Sequence, residues 1–148
     1  MTDKRAMSER FTKIGVDGAK LPDDAAAWVA VRDATTGLIW SVEEVKKPLT
    51  WKKAIEWAKK LTVAGFTDWR LPTVEELFLL ADRTRHSPAI DTTFFPDCKS
   101  DWYWTSTPAA FSPGVSAWLV AFGYGDSYWN GQRNDCHVRA VRSTGGKP

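Results

Sequence analysis

The run Trp28-Val29-Ala30-Val31-Arg32 has the composition of a strand, and after the turn-like Asp33-Ala34-Thr35-Thr36-Gly37 the pattern resumes at Leu38-Ile39-Trp40. Together these predict a β-hairpin. Beyond Pro48 the period changes. Trp51, Ala54, Ile55, Ala58, Leu61 and Thr62 recur at helical spacing, while Lys52, Lys53, Glu56, Lys59 and Lys60 fall on the other side. Thr50 is the expected N-cap and Gly65 the expected stop. A second helix should open at Thr73, where Glu76 completes a capping box and Val74, Leu77, Phe78 and Ala81 form an apolar stripe ending near Asp82.

Residues 83–101 read as a loop around Phe94-Phe95, two rings too costly to expose side by side and therefore expected as a plug beneath it. The last third alternates short strand-like runs, at 102–107, 116–122, 127–129 and 136–142, with Gly-rich turns, the pattern of an antiparallel sheet. Two helices between an early hairpin and a late meander give an α+β order rather than a doubly wound parallel sheet. Residues 1–25 are polar and broken by Gly15, Gly18 and Pro22, so they are expected to form a flexible N-terminal arm or a strap across the domain. One domain then spans 26–143, and 144–148 form a frayed tail.

Composition narrows the function classes. The chain has 148 residues, enough for one well-buried domain, with 43% hydrophobic and 26% charged residues. Twenty basic against eighteen acidic side chains leave a formal charge of +2, with no Lys/Arg run to mark a nucleic-acid groove. No stretch matches a membrane span or a secretory signal, so the expectation is synthesis in the cytoplasm, with display on a phage particle or cell surface as the route outward. Nine Trp in so short a chain are unusual. Most are expected in the core, with a few exposed at one place.

The chemistry-bearing residues are sparse: His86, His137, Cys98, Cys136 and scattered carboxylates. Ser106 with His86, or Cys136 with His137, stay open as catalytic pairs, although adjacent strand residues point to opposite faces. A non-enzymatic domain is expected, with no cofactor and no metal. Two scattered sulfurs do not make a zinc site, and the default for them is two free thiols.

Several motifs occur in one order: Thr36-Gly37-Leu38-Ile39-Trp40, Thr50-Trp51, Gly65-Phe66-Thr67-Asp68-Trp69-Arg70-Leu71-Pro72-Thr73 with Glu75-Glu76-Leu77, Trp104-Thr105-Ser106-Thr107, Ala117-Trp118, and Val138-Arg139-Ala140-Val141-Arg142. Over about 28–142 this ensemble resembles the bacterial and phage domains named after the C-terminal part of a Legionella collagen-like adhesin. The resemblance implies a C-type-lectin-like fold, with paired N- and C-terminal strands, two helices on a mainly antiparallel sheet, and a loop-rich ligand face.

That fold could also bring Cys98 and Cys136 together as a disulfide. The formylglycine-generating relatives, which use a reactive cysteine pair, keep an enzyme open as the alternative. A structural part of a phage or surface particle is the third class. The calcium-lectin tripeptides Glu-Pro-Asn and Gln-Pro-Asp are absent, so no calcium is expected. Within the motifs, Trp69, Trp104 and Trp118 are expected to be buried, and Arg139 and Arg142 to pair with Asp68, Glu75 or Glu76.

The candidate site is what remains after the frame is removed. Tyr124, Tyr128 and Trp129 supply rings, Arg133 a cation, Asn130, Gln132 and Asn134 amides, Asp126 and Asp135 carboxylates, and His137 an imidazole. Rigid amphipathic rings beside small polar groups are the composition of adaptable binding surfaces. The expected ligand is a protein or a glycan, with a homo-oligomer or larger particle as the assembly. The resemblance to variable proteins of diversity-generating retroelements implies that residues 119–137 are open to diversification, on a frame that includes Ala117, Trp118, Val120, Phe122, Gly125 and Val138.

Overall fold

The computed structural model describes residues 10–144. The first nine residues of the expected arm and the last four of the expected tail lie outside the described residues. Eight strands and two helices follow in the order β1 (Phe11–Ile14), β2 (Lys20–Leu21), β3 (Ala30–Asp33), β4 (Leu38–Glu44), α1 (Trp51–Lys60), α2 (Val74–Leu80), β5 (Trp102–Pro108), β6 (Ser116–Ala121), β7 (Asp126–Gly131) and β8 (Arg139–Ser143). They build a five-stranded sheet in the order β2-β1-β3-β4-β8 and a three-stranded sheet in the order β5-β6-β7. The class is α+β with antiparallel strand pairing.

The hairpin forms where the sequence places it. The Asp33 carboxylate accepts from the Thr35 amide at 3.0 Å, and Gly37 closes the turn at φ 76°, a left-handed conformation that glycine adopts without steric cost. Residues 10–25 are held against the sheet rather than hanging as a flexible arm. Phe11 and Ile14 are buried, β1 pairs along β3 from Phe11↔Asp33 to Ile14↔Ala30, and Arg10 clamps the buried Asp33 carboxylate at 2.9 and 3.1 Å. That pairing fills the outer edge of β3. The C-terminal strand β8 therefore shares the sheet with β3 but is bonded to β4, not to the first strand.

Alternation along the strands sends side chains into two cores. Ala30, Ile39, Ala140, Trp104 and Leu119 join α1 residues Ala54 and Ala58 in one core. Their chain neighbours Val31, Trp40, Val141, Tyr103 and Val120 join α2 residues Leu77 and Leu80, with Phe94 and Phe95, in the other. The Phe pair is the expected plug. Each sheet thus lies between an α1 layer and an α2 layer, and any strand residue belongs to one side or the other by parity.

Helix α2 carries the full capping box: Thr73 Oγ accepts from the Glu76 amide at 3.2 Å, and the Glu76 carboxylate accepts from the Thr73 amide at 2.9 Å. Helix α1 stops at Lys60, short of the expected Gly65, because Leu61 turns to an extended conformation and buries its side chain. Gly65 instead serves the tight Val63-to-Phe66 turn at φ 78°.

Arg142 meets Asp68 at 2.7 Å as expected, whereas Glu76 is taken by Arg70 at 2.8 Å. Arg139 corrects the expectation. A register shift in β4 places Glu44 directly opposite it, and the buried guanidinium donates to that carboxylate, to Ser41 O at 2.6 Å and to Val42 O at 3.1 Å. Cys98 and Cys136 are free thiols, one in each core.

Candidate functional site

Most of the candidate residues converge on β7 and the loop that follows it. β7 lies at the edge of the three-stranded sheet, bonded to β6 in unbroken register from Ala121↔Asp126 to Ser116↔Gly131. Because β7 is the last strand, no further strand covers its rings, and Tyr128 and Trp129 stay 45% and 53% exposed.

The two rings look opposite ways. Tyr128 shares a face with Leu119 and Trp104, its register partners toward the α1 side, and with Trp102 and Asp126 on either side of Ala121. The small Ala121 lets Trp102 lean across the middle strand, so that its ring stacks near Tyr128, centroids 6.2 Å apart at 25°. Asp126 lies 3.4 Å from the Tyr128 hydroxyl, and Asp101 caps the Trp102 amide at 2.8 Å.

On the reverse face Trp129 stands directly opposite Trp118, with centroids 5.8 Å apart, and Phe111 packs edge-on against Trp129 at 5.3 Å. Trp118 was expected in the core. It is only half-buried, because the cover on the α2 side reaches Val120 and stops short of it. Of the nine Trp, Trp40, Trp69 and Trp104 are buried, Trp28, Trp51 and Trp57 are half-buried against the two cores, Trp118 is half-buried outside them, and Trp102 and Trp129 are exposed.

Past Gly131 the amide side chains shape the loop. Gln132 Nε2 donates to Pro113 O and Ser116 O, both at 3.0 Å, its amide donates to Val115 O, and its carbonyl accepts from the Trp51 amide that opens α1. Asn130 Oδ1 accepts from the Gly131 amide at 2.9 Å and from Asn134 Nδ2 at 2.7 Å. Gln132 and Asn130 therefore hold the backbone, and Arg133 is left exposed beside them. Gln132, Arg133 and Asn134 line an open cleft of about 660 Å³ with Thr50, Lys52 and Val115.

A family model for the Lcl C-terminal domain matches residues 29–142. The chain belongs to that family. Comparison with curated proteins gives no match. The family match suggests a ligand-binding or adhesin-like module and names no ligand.

Two candidate residues of this Lcl C-terminal domain lie away from the cluster. Tyr124 is 70% exposed in the β6–β7 turn, where its nearest ring is His86 at 6.4 Å. His137 tucks under β5, its amide bonded to Trp102 O, its Nε2 3.3 Å from Asp101 and its Nδ1 buried without a hydrogen-bond partner. Asp135 is exposed in the loop between them. Sequence reasoning missed Trp102, Phe111, Val115 and Lys52, which join the surface from β5, from the β5–β6 loop and from α1. Phe111 and Val115, in the polar and Pro-containing stretch 111–116, were the available signal: apolar residues in a loop with no period to bury them.

The reactive groups of this domain are subdued. Burial pushes the Cys136 thiol up to about 11 and raises that of Cys98, so both are protonated at neutral pH. Tyr103 is raised by burial as well, and its hydroxyl donates to Glu44 at 2.8 Å. His86 approaches Ser87 at 3.4 Å, while Ser106 donates its amide to Pro72 O. Among the described residues no three His, Cys, Asp or Glu side chains gather as a metal-holding group, and no helix is long and apolar enough to cross a membrane.

Proposed function

We propose that this Lcl C-terminal domain is a non-enzymatic ligand-recognition module that binds a protein or glycan through the β7 surface. The observation that carries this reading is the concentration of exposed rings around one edge strand. Phe111, Trp102, Tyr128 and Trp129 expose between 42% and 64% of their surface around a single strand and an open cleft. Clustered exposed aromatics on a rigid element mark recognition surfaces, because each ring supplies contact area at little cost in rotamer entropy. The buried, protonated thiols and dispersed histidines support binding over turnover.

The test is a selection of ligands on immobilised glycans and on a displayed random-peptide library, repeated with Tyr124, Trp129 and Arg133 changed together to Ala. Exposed substitutions such as those at Tyr124 and Arg133 usually shift stability by about 0.5 kcal/mol or less, and Trp129 loses no more than about 1.5 kcal/mol with its aromatic pairing. The triple variant should melt nearly like the parent and lose the selected ligand. Retained binding, or a collapsed melting curve, would defeat the reading.

Diversification of this surface is part of the same proposal. Ala117, Val120, Phe122, Gly125, Val138, Arg139, Val141 and Arg142 are buried, whereas most positions between 123 and 135 are exposed or half-buried. A reverse-transcriptase gene near the coding DNA, with a near-copy of the stretch for residues 117–142 mismatched at adenines, would support it. Its absence would leave a binder of fixed specificity, carried on a phage particle or cell surface.

A further inference from the structure

We infer that the outer edge of β7 receives an extended basic peptide as a fourth strand, its Lys or Arg side chains on the Trp102–Tyr128 face and its apolar side chains on the Trp129 face. The inference rests on the proposed reading of the β7 surface and names the class of partner. Three observations carry it.

The first is the free edge. Among the described strands β7 is bonded to β6 alone; on its other side Gly131 is closed off by Asn130 Oδ1 and the Asn134 amide, which leaves the outward N–H and C=O groups of Ser127 and Trp129 free. Natural proteins blunt such edges with Lys, Pro, bulges or very short strands, since a row of unpaired N–H and C=O groups templates another chain. The six residues Asp126-Ser127-Tyr128-Trp129-Asn130-Gly131 carry none of these devices. A backbone repeating every two residues is best matched by another backbone, which favours a peptide over a sugar chain.

The second observation is the sign of the charge on one face. The stacked Trp102 and Tyr128 rings have the Asp126 carboxylate beside them, 3.4 Å from the Tyr128 hydroxyl. Elsewhere the chain covers its rings with its own cations: Lys13 lies 3.8 Å from the Trp28 ring centre, Arg83 3.5 Å from that of Phe78 and Arg142 3.7 Å from that of Phe66. No described Lys or Arg lies over Trp102 or Tyr128. Two ring faces beside a carboxylate, with no cation of the chain over them, present the electrostatic complement of an ammonium or guanidinium group.

The third is the reverse face. Trp129, Trp118 and Phe111 form a continuous aromatic surface with no carboxylate bonded to any of the rings. On an added strand, the side chain opposite Tyr128 falls on the acidic face and its neighbours fall on the aromatic face. The partner therefore alternates basic and apolar residues.

Backbone NMR of the full chain titrated with three capped peptides tests this. One has the core Lys-Val-Lys-Val-Lys between Gly-Ser flanks, the second replaces Lys by Glu, and the third N-methylates alternate amides of the first. The overall charge of +2 favours the acidic peptide non-specifically, so a preference for the basic one reads the local face. The expected result is that only the first peptide shifts the amides of residues 126–131, and that Asp126→Asn weakens it roughly two- to fivefold, the worth of one exposed cation–π or ion contact.

Equal or tighter binding of the Glu peptide, indifference to N-methylation, or a homodimer whose β7 amides are already protected would each overturn the inference. If the Lys peptide fails while the triple Ala variant still loses a selected ligand, the surface stands and the partner class is wrong. If both fail, the surface reading falls with it.

Discussion

Trp118 and Trp129 are direct partners across β6 and β7, their rings 5.8 Å apart at 76°, and neither enters a core. Edge-to-face pairs of this kind add about 0.5–1.5 kcal/mol beyond the area they bury. Trp104, two strands away on the opposite face, is wholly buried and donates its indole N–H to Leu49 O at 2.8 Å. Trp104→Ala should therefore cost about 3–5 kcal/mol, the usual range for emptying a large aromatic site. Trp129→Ala should cost no more than about 1.5 kcal/mol, the worth of its aromatic pairing. Chemical denaturation of the two variants checks the contrast, and equal losses would place Trp129 in the core.

Arg139 and Glu44 form an ion pair inside the protein, with side chains 1% and 5% exposed. Removing one partner of a buried pair leaves the other charge uncompensated, which typically costs about 3–5 kcal/mol. Arg139→Met should lower stability by that order. The Glu44→Gln, Arg139→Met double variant should recover part of the loss, because it leaves no buried charge. A double-mutant cycle measured by urea unfolding reads both, and simple additivity would show that the two side chains act independently.

Burial alone would raise the Glu76 carboxyl, but the Arg70 ion pair and the Thr73 amide more than offset it and hold it below the ordinary carboxylate range. A depressed folded-state value means stability that is present above the unfolded pKa, about 4.3 for Glu, and lost as pH falls through the folded one. Glu76→Gln can still accept from the Thr73 amide, so it removes the charge and keeps the cap. Its melting temperature should lie below the parent's at pH 7, with the gap closing as pH falls through the folded-state value and the parent's carboxylate is protonated. A gap independent of pH would mean that the ion pair contributes nothing.

Gly125 has φ 88°, and a Cβ built there would meet Arg83 Cγ at 3.0 Å. Left-handed backbone costs an L residue about 1–2 kcal/mol, and Arg83 would also have to move. Gly125→Ala should destabilise by at least about 1 kcal/mol, against a near-neutral Gly123→Ala at a position with open space. Thermal melts of the two alanine variants decide it.

Much of the fold was legible because its signals are local. The capping box at Thr73 and Glu76 and the Asx turn at Asp33 need no distant partner, and both lie where the sequence puts them. β1 was not legible, since Phe11 and Ile14 alone give no period and its partner β3 begins sixteen residues after β1 ends. The same limit hid the Arg139–Glu44 pair, which depends on a register shift in β4 rather than on either residue. Alternation assigns Trp118 to a face, yet it says nothing of how far the opposing layer extends over that face. Candidate positions on β7 and the following loop share one segment and were found together, while Trp102, Phe111 and Lys52 reach the surface from other elements, which only the topology joins.

Gln132 carries a consequence for how this surface can change. Its four hydrogen bonds reach Val115, Pro113, Ser116 and Trp51, and they fix the chain one residue past the end of β7. Gly125 fixes it one residue before the beginning. Between these two moorings the number of residues is set, although their identities draw on neither core. The segment can be rewritten letter by letter but not lengthened, so specificities built on it should differ in spelling and agree in length.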